Sequence, residues 1–170
     1  MKHVVICGDK YVGKTALLRR LTKNSYTDSY LHTITKNFGR VEPNILLYDT
    51  TGSERFQYVC NPYYQLADAA IVVFDVTVPS SYEHVVKWKR KIKELNTKQI
   101  PIFVIGNKID LKDVKIQENI KYISCKENTN INLRSFFTSI RVTASVGMQE
   151  WLVEIVANLS DATYQRCQIS

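Results

Sequence analysis

The chain lacks any long hydrophobic run. The longest apolar stretch covers residues 69–74, far short of the ~20 residues that a membrane-spanning helix needs. A strand pattern begins directly after Met1, which leaves no room for a signal peptide, so we expect none. Internal repeats, low-complexity tracts and linker-like segments are also missing. The 170 residues therefore suit one folded domain with a substantial core.

Cysteine and histidine are scarce, and neither shows the spacing of a metal site. They are spread along the chain at Cys7, Cys60, Cys125, Cys167, His3, His32 and His84. Scattered cysteines fit free thiols in a reduced, cytoplasmic setting.

Positive charge exceeds negative charge, and the formal net charge is +7. Part of the excess lies in the helical pattern at residues 87–93. A patch for nucleic acid or acidic lipid is one interpretation. We favour a solvated helix face, because lysine is common at such positions, and we expect no nucleic-acid partner.

Residues 8–15 carry the most informative pattern. They follow an apolar run at residues 3–7 and precede a helical pattern. Glycines let such a loop wrap an anion, and its N–H groups with the helix N-terminus point at phosphate oxygens. Lys14 suits the β- and γ-phosphates, and the Thr15 hydroxyl suits Mg²⁺. We predict a phosphate site at Gly8, Asp9, Lys10, Tyr11, Val12, Gly13, Lys14, Thr15 and Ala16.

Strand and helix patterns alternate along the chain. The strands are predicted at residues 2–7, 35–41, 44–48, 69–75, 101–106 and 120–123, and the helices at 13–23, 81–95 and 131–143, with an amphipathic segment near 148–160. This order predicts an α/β fold with a doubly wound, mostly parallel sheet and flanking helices. We expect one P-loop domain over residues 1–145 and a C-terminal amphipathic helix and tail over 146–170. Ligands of such sheets bind at the carboxyl ends of the strands.

Two further motifs each follow a strand. Asp49 can hold the Mg²⁺ shell through water, and Gly52 can bring an N–H to the γ-phosphate, although Asp49–Gly52 alone is also typical of an ordinary turn. In Asn107-Lys108-Ile109-Asp110, the Asp110 carboxylate can accept two N–H donors from guanine, a pair that adenine does not offer. Asn107 would join the base loop to the phosphate loop, and the Lys108 stem would cover the base.

Together these motifs resemble the small GTPases of the Ras superfamily, with traits of the Rab and Ran branches. The similarity extends over residues 2–143, and its motifs lie at 8–15, 33–34, 49–56, 63–64, 74–77, 106–110 and 124–126. Arg55-Phe56 and Tyr63-Tyr64 are Rab-like, whereas residues 13–15 and 119–122 are Ran-like, so the branch stays open.

The resemblance implies GTP or GDP with Mg²⁺ as ligands, and effector and exchange-factor proteins as partners. Thr33, 18 positions after Thr15, matches the switch threonine that senses Mg²⁺ and the γ-phosphate. Tyr26 matches the aromatic at the base edge, although it could also be a simple core aromatic. The second base loop matches Ser124, Cys125 and Lys126, with cysteine in place of alanine. The aromatic trio that contacts effectors in Rab-like proteins matches Phe38, Tyr48 and Tyr64.

The chain departs from the family at the catalytic position. Ser53 replaces the glutamine that orients the attacking water, while Lys14 and Gly52 are retained. Lys10 and Tyr11 stand where many relatives have glycine or serine, and their side chains would project toward the space that an activating arginine enters. The alternative for Lys10 is that it neutralises phosphate charge itself. We therefore expect slow hydrolysis and a poor response to activators.

Two segments are shortened. Thr33 and Asp49 are 16 positions apart, and Asp110 and Ser124 are 14 apart. The first gap predicts a short hairpin after the first switch. The second leaves little room for a helix within a parallel crossover, so we expect the family's fourth helix to be reduced to a turn or lost.

Near the C-terminus, apolar residues recur at helical spacing, at Trp151, Leu152, Ile155, Val156 and Leu159. This segment would either bind a partner or membrane or pack on the domain. We favour packing on the domain, because acidic residues in and beside the segment oppose binding to anionic lipid. Cys167-Gln168-Ile169-Ser170 resembles a prenylation box, with an incidental terminal cysteine as the alternative. Lipidation at Cys167 would give weak contact with the cytosolic face of a membrane.

The leading hypothesis is a GTP-dependent switch in intracellular trafficking or transport. The alternative is a pseudo-GTPase held in one nucleotide state that sequesters effectors or exchange factors. An adenine-nucleotide kinase is disfavoured by Asn107-Lys108 and Asp110. We expect a cytoplasmic protein, or a nucleocytoplasmic one if its behaviour is Ran-like.

Overall fold

One six-stranded sheet organises the part of the chain that the computed structural model describes, which is residues 1–27, 37–41, 44–52, 58–113, 115, 117 and 120–128. These residues all belong to one compact unit, Met1–Ile131. The strands are β1 (Lys2–Cys7), β2 (Asn37–Val41), β3 (Ile45–Asp49), β4 (Ala69–Asp75), β5 (Ile102–Asn107) and β6 (Ile120–Ile123). The helices are α1 (Lys14–Lys23), α2 (Asn61–Leu66), α3 (Pro79–Glu83) and α4 (Val85–Leu95).

The sheet has the order β2-β3-β1-β4-β5-β6. Each described pair is parallel except β2 with β3, which confirms the prediction of a mostly parallel α/β fold. After β1 the chain runs to the β2 edge of the sheet, and after β4 it runs to the β6 edge. The direction in which successive strands are added therefore reverses beside β1. Ligands of open α/β sheets bind in the crevice at such a reversal, outside the carboxyl ends of the strands.

The core lies on both faces of the central strands. All seven residues of β4 are buried, as expected for a continuous apolar strand covered on both sides. Helix α1 buries Leu17 and Leu18, and α4 buries Val85, Trp88 and Ile92. The spacing in α4 is that of one apolar helical face, so the helices cover the sheet and fix the loops at their ends.

The element bounds agree closely with the sequence prediction, with two differences. The expected helix at 81–95 is two helices, α3 and α4, which are separated at His84. Helix α2 was missed, because it has only six residues and buries only Tyr64. The predicted helical segments at 131–143 and 148–160 and the domain boundary at 145/146 lie outside the described residues.

Both shortened connections are present. Only residues 42–44 separate β2 from β3. Between β5 and β6 the described residues, 108–113, 115 and 117, form turns and irregular backbone with no helix. The expectation of a reduced or lost crossover helix is therefore met in the described part of this crossover. In the described residues no helix combines the length and hydrophobicity that crossing a bilayer requires.

Candidate nucleotide-binding site

The phosphate loop joins the carboxyl end of β1 to α1, and its two glycines have no room for a side chain. Gly8 has φ 139° and Gly13 has φ 98°, values that L-residues rarely adopt. A Cβ at Gly8 would collide with the Val73 carbonyl oxygen, and one at Gly13 with the Asn107 side chain. Tyr11, with φ 66°, adds a third left-handed position. The loop is therefore a tight cradle whose shape requires glycine.

Lys14 is buried within this loop, with only 6% of its surface exposed. Its Nζ donates a hydrogen bond of 2.5 Å to the Asp9 carbonyl oxygen. Burial lowers the pKa of Lys14, while the nearby Asp49 carboxylate acts in the opposite direction. An anionic phosphate beside the ammonium would also favour its charged form, so the residue fits a phosphate ligand.

The residues predicted to hold Mg²⁺ meet at the carboxyl end of β3. The Thr15 hydroxyl donates a 2.6 Å hydrogen bond to Asp49 Oδ2, and Asp49 is 1% exposed. Hydroxyl and carboxylate oxygens are ligands that Mg²⁺ prefers, directly or through water. This pair fits the ion, whereas Thr33 lies outside the described residues.

Gly52 brings the backbone after β3 against the phosphate loop. A Cβ at Gly52 would lie 2.6 Å from the Asp9 carbonyl oxygen and 2.6 Å from Lys10 N. The Gly52 main chain therefore lies beside the phosphate loop, where the sequence predicts a contact with the γ-phosphate. Ser53, the next residue, lies outside the described residues.

Asn107 connects the two loops that the sequence predicts to bind phosphate and base. It is 2% exposed, and its Nδ2 donates 2.9 Å to the Val12 carbonyl oxygen. The backbone N–H of Cys125 donates 3.2 Å to Asn107 Oδ1. The structure thus brings together residues 12, 107 and 125, as the sequence predicted for Asn107.

Asp110 and Lys108 have separate partners at the same edge. The Ser124 hydroxyl donates to Asp110 Oδ1 at 2.5 Å, which holds the carboxylate at the end of β6. Lys108 has φ 70°, and its Nζ lies 2.5 Å from Asp75 Oδ2. Burial acts to raise the pKa of Asp75, but Lys108 and two hydrogen bonds from Thr77 hold this pKa below its usual value. The ion pair fixes Lys108 at the carboxyl end of β4.

The second base loop is buried at Cys125, which is 2% exposed. Burial raises the pKa of the Cys125 thiol to about 12, with the Arg20 cation acting in the opposite direction. A thiol with this pKa stays protonated at neutral pH and packs as a small apolar group. Tyr26, the predicted aromatic at the base edge, is half-buried and lies with its ring centre 5.7 Å from the Arg20 guanidinium carbon.

Two residues that hold the phosphate loop were not predicted from the sequence. Trp88 lies in α4, and His84 lies at the junction of α3 and α4. His84 Nδ1 lies 2.6 Å from Asp9 Oδ2, and Trp88 Nε1 donates 2.8 Å to Asp9 Oδ1. Both carboxylate oxygens of Asp9 are therefore engaged. Asp9 itself could have indicated such partners, because an acidic residue in a loop predicted to bind an anion needs compensating partners.

The predicted aromatic trio needs one correction. Phe38 is 65% exposed and pairs across the hairpin with Tyr48. Tyr64 is 1% exposed, and its hydroxyl lies 3.2 Å from Thr50 Oγ1, so its assignment as a contact residue is wrong. The preceding residue, Tyr63, stacks on Tyr48 with ring centres 4.8 Å apart. Helix α2 turns Tyr64 into the core and leaves Tyr63 beside the hairpin.

Comparisons with known proteins agree with this geometry. The family model described as the Ras family matches residues 3–161. Ras-related protein Rab-1 of Theileria annulata is 32% identical over 156 aligned positions, covering 81% of this chain and 71% of that protein. Ras-related protein Rab-21 of Mus musculus is 30% identical over 162 positions, covering 89% and 70%. The Ras and EF-hand domain-containing protein of Xenopus tropicalis is 30% identical over 171 positions, and this chain covers only 23% of it.

Proposed function

The chain belongs to the Ras family of small GTPases, whose members bind and hydrolyse GTP, and we propose that it is a GTP-dependent switch with slow intrinsic hydrolysis. The observation that carries the proposal is the buried Asn107 side chain. It hydrogen-bonds to the phosphate loop through Val12 and to the second base loop through Cys125. One nucleotide can therefore lie across both loops at the carboxyl edge of the sheet.

Guanine selectivity follows from the carboxylate at residue 110. The Ser124 hydroxyl holds one oxygen of Asp110, and the remaining lone pairs can accept the two N–H groups of a guanine edge. Adenine does not offer this pair of donors and would leave the remaining acceptor sites of Asp110 unfilled beside the base, which is unfavourable. Lys108, fixed by Asp75, places an aliphatic stem next to the base.

The phosphate end is built to bind a magnesium-bound anion. Lys14 provides a positive charge inside the loop, and Thr15 and Asp49 would hold Mg²⁺. The bound ion would neutralise part of the charge on the phosphates. The tight backbone at Gly8 and Gly13 directs loop N–H groups at the phosphate oxygens.

Slow hydrolysis is inferred from the residue type at Ser53 and from two residues of the phosphate loop. Ser53 has a hydroxyl but lacks the reach of the glutamine that positions the attacking water in this family. Lys10 and Tyr11 lie in the phosphate loop, and Tyr11 is 54% exposed. Side chains at these positions restrict access for an arginine supplied by an activating protein, which supports a long-lived GTP state.

For partners, we favour proteins that bind the hairpin surface formed by Phe38, Tyr48 and Tyr63. Phe38 is exposed and Tyr48 stacks on Tyr63, so the surface offers rigid aromatic area, which protein interfaces favour. The surface lies close in sequence to the predicted switch threonine, Thr33, and to Asp49 and Gly52. An effector or exchange factor that binds there would read the nucleotide state. For a chain similar to Rab-1 and Rab-21, we propose a role in intracellular transport, in the cytoplasm or at a membrane reached through lipidated Cys167.

Nucleotide exchange and single-turnover hydrolysis test this function. Purified protein is loaded with fluorescent GDP in magnesium, and unlabelled GTP and ATP compete for the site. We expect displacement by GTP at concentrations at which ATP has no effect, followed by GTP decay slower than in a relative with glutamine at the position of Ser53. Equal competition by ATP would refute guanine recognition. Bound GTP that never decays would favour the pseudo-GTPase alternative.

A further inference from the structure

Arg20, in the last turn of α1, contacts the loop assigned to the base. Its Nε donates 2.6 Å to the Cys125 carbonyl oxygen, and its Nη2 donates 2.7 Å to the Lys126 carbonyl oxygen. Its Nη1 donates 3.1 Å to the Asn24 carbonyl oxygen. One guanidinium thus joins the end of α1 to backbone more than a hundred residues away in sequence.

These contacts match the donor geometry of arginine. The planar guanidinium presents several N–H groups in a rigid fork, which suits two carbonyls on neighbouring residues. Hydrogen bonds from a cation are roughly twice as strong as neutral ones. The guanidinium carbon of Arg20 also lies 5.7 Å from the centre of the Tyr26 ring, within the range of a cation–π contact. The side chain therefore has little freedom, and the carbonyls of Cys125 and Lys126 that it binds are held in place.

Holding a carbonyl also sets the direction of the next N–H. In a trans peptide the C=O and the following N–H point in opposite directions. Because the Cys125 carbonyl faces Arg20, the N–H of Lys126 faces away from it. The same loop has other supports, because Cys125 N donates to Asn107 and the Ser124 hydroxyl donates to Asp110. Arg20 and the Asn107–Asp110 motif thus both hold this loop.

We propose that Arg20 is a positioning residue for guanine recognition, which aims the backbone N–H of Lys126 at the base. This inference rests on the proposed guanine-nucleotide function and adds a specificity determinant outside the base motifs. A backbone N–H donates, so it recognises an acceptor, and the exocyclic oxygen is the acceptor that guanine has and adenine lacks. Without Arg20 this donor loses its fixed direction, and selectivity for guanine falls.

The test uses the full chain with Arg20→Gln, Arg20→Lys and the control Lys23→Gln. Lys23 is an exposed cation in the same last turn, so its substitution removes the same charge without touching the base loop. Fluorescent GDP reports the dissociation rate, and competition gives the ratio of GDP to ADP affinity. For Arg20→Gln we expect release about ten- to a hundredfold faster, the range for losing one charge-assisted hydrogen bond, and a GDP-to-ADP ratio reduced by a similar factor.

Arg20→Lys keeps the charge but not the fork, so it should fall between Arg20→Gln and the wild type. Lys23→Gln should behave as the wild type. A GDP-to-ADP ratio that stays at the wild-type value in both Arg20 variants would overturn the proposal, even if melting temperature falls, because such a change reports stability alone. If the wild type itself fails to bind GDP, the proposed function fails instead.

Discussion

Asn107→Ala is the substitution whose effect the structure defines best. Asn107 is 2% exposed, and its amide pairs with the Val12 carbonyl and the Cys125 N–H. Alanine would leave both backbone groups buried without these partners. Each unsatisfied group costs about 1–3 kcal/mol, so we expect the free energy of unfolding to fall by about 2–6 kcal/mol. That is a large share of the ~5–15 kcal/mol that stabilises a typical protein.

Calorimetric melting of the nucleotide-free protein measures this loss. For a chain of this size each kcal/mol moves the melting temperature by about 2–4 °C, so a fall of about 4–24 °C is expected. The control is Asn44→Ala, since Asn44 is exposed and its backbone carbonyl, which accepts from Lys2 N, survives the substitution. GDP release should also accelerate in Asn107→Ala, because both loops lose one support.

A melting temperature within about 2 °C of the wild type would contradict this role of Asn107, because that shift is smaller than one unsatisfied group produces. The two loops would then be held by contacts other than this amide. Faster GDP release with unchanged stability would assign Asn107 to ligand contact rather than to loop connection.

Three further substitutions test separate parts of the site. Gly13→Ala forces a side chain into a backbone with φ 98°, which costs about 1–3 kcal/mol; thermal melting should show this loss, and unchanged stability and GDP affinity would contradict the cradle geometry. Trp88→Phe removes the 2.8 Å hydrogen bond to Asp9. We expect the free energy of unfolding, measured with denaturant, to fall by about 1.5–3 kcal/mol and nucleotide release to become faster. Wild-type values of both would show that Trp88 does not hold the phosphate loop. Ser53→Gln should accelerate single-turnover GTP hydrolysis by at least about tenfold, because a longer amide can orient the water, and an unchanged rate would move the cause of slow hydrolysis elsewhere.

Most of the fold was predictable because its signals are local. Strand β4 is a continuous apolar run with both faces covered, and its predicted bounds match the structure. The crossover between β5 and β6 was recognisably short from spacing alone. Helix α2 was missed because six residues with one fully buried side chain, Tyr64, carry almost no periodicity. The break at His84 was missed because 81–95 has helical spacing throughout.

The site was predictable where a motif is contiguous and unpredictable where contacts are distant in sequence. The pairings within residues 107–110 and 124–126 follow from strand ends that meet at one edge. By contrast, Asp9 meets Trp88 across 79 positions, and Arg20 meets Cys125 across 105. Such pairs depend on how a helix is rotated on the sheet, which no local pattern specifies. The same rotation decides that Tyr63 rather than Tyr64 lies beside the hairpin.

An acidic residue inside an anion-binding loop is a conflict that the fold resolves through a helix outside the loop. The Asp9 carboxylate hydrogen-bonds with His84 and Trp88, while the Asp9 backbone carbonyl accepts a hydrogen bond from the Lys14 ammonium. Hydrogen bonds to both of its oxygens hold this carboxylate against His84 and Trp88. The same contacts fix the backbone of residue 9, against which Lys14 is held. The position of Lys14 therefore depends on α4, and we expect displacement of this helix to weaken the proposed phosphate binding without altering any residue of the loop.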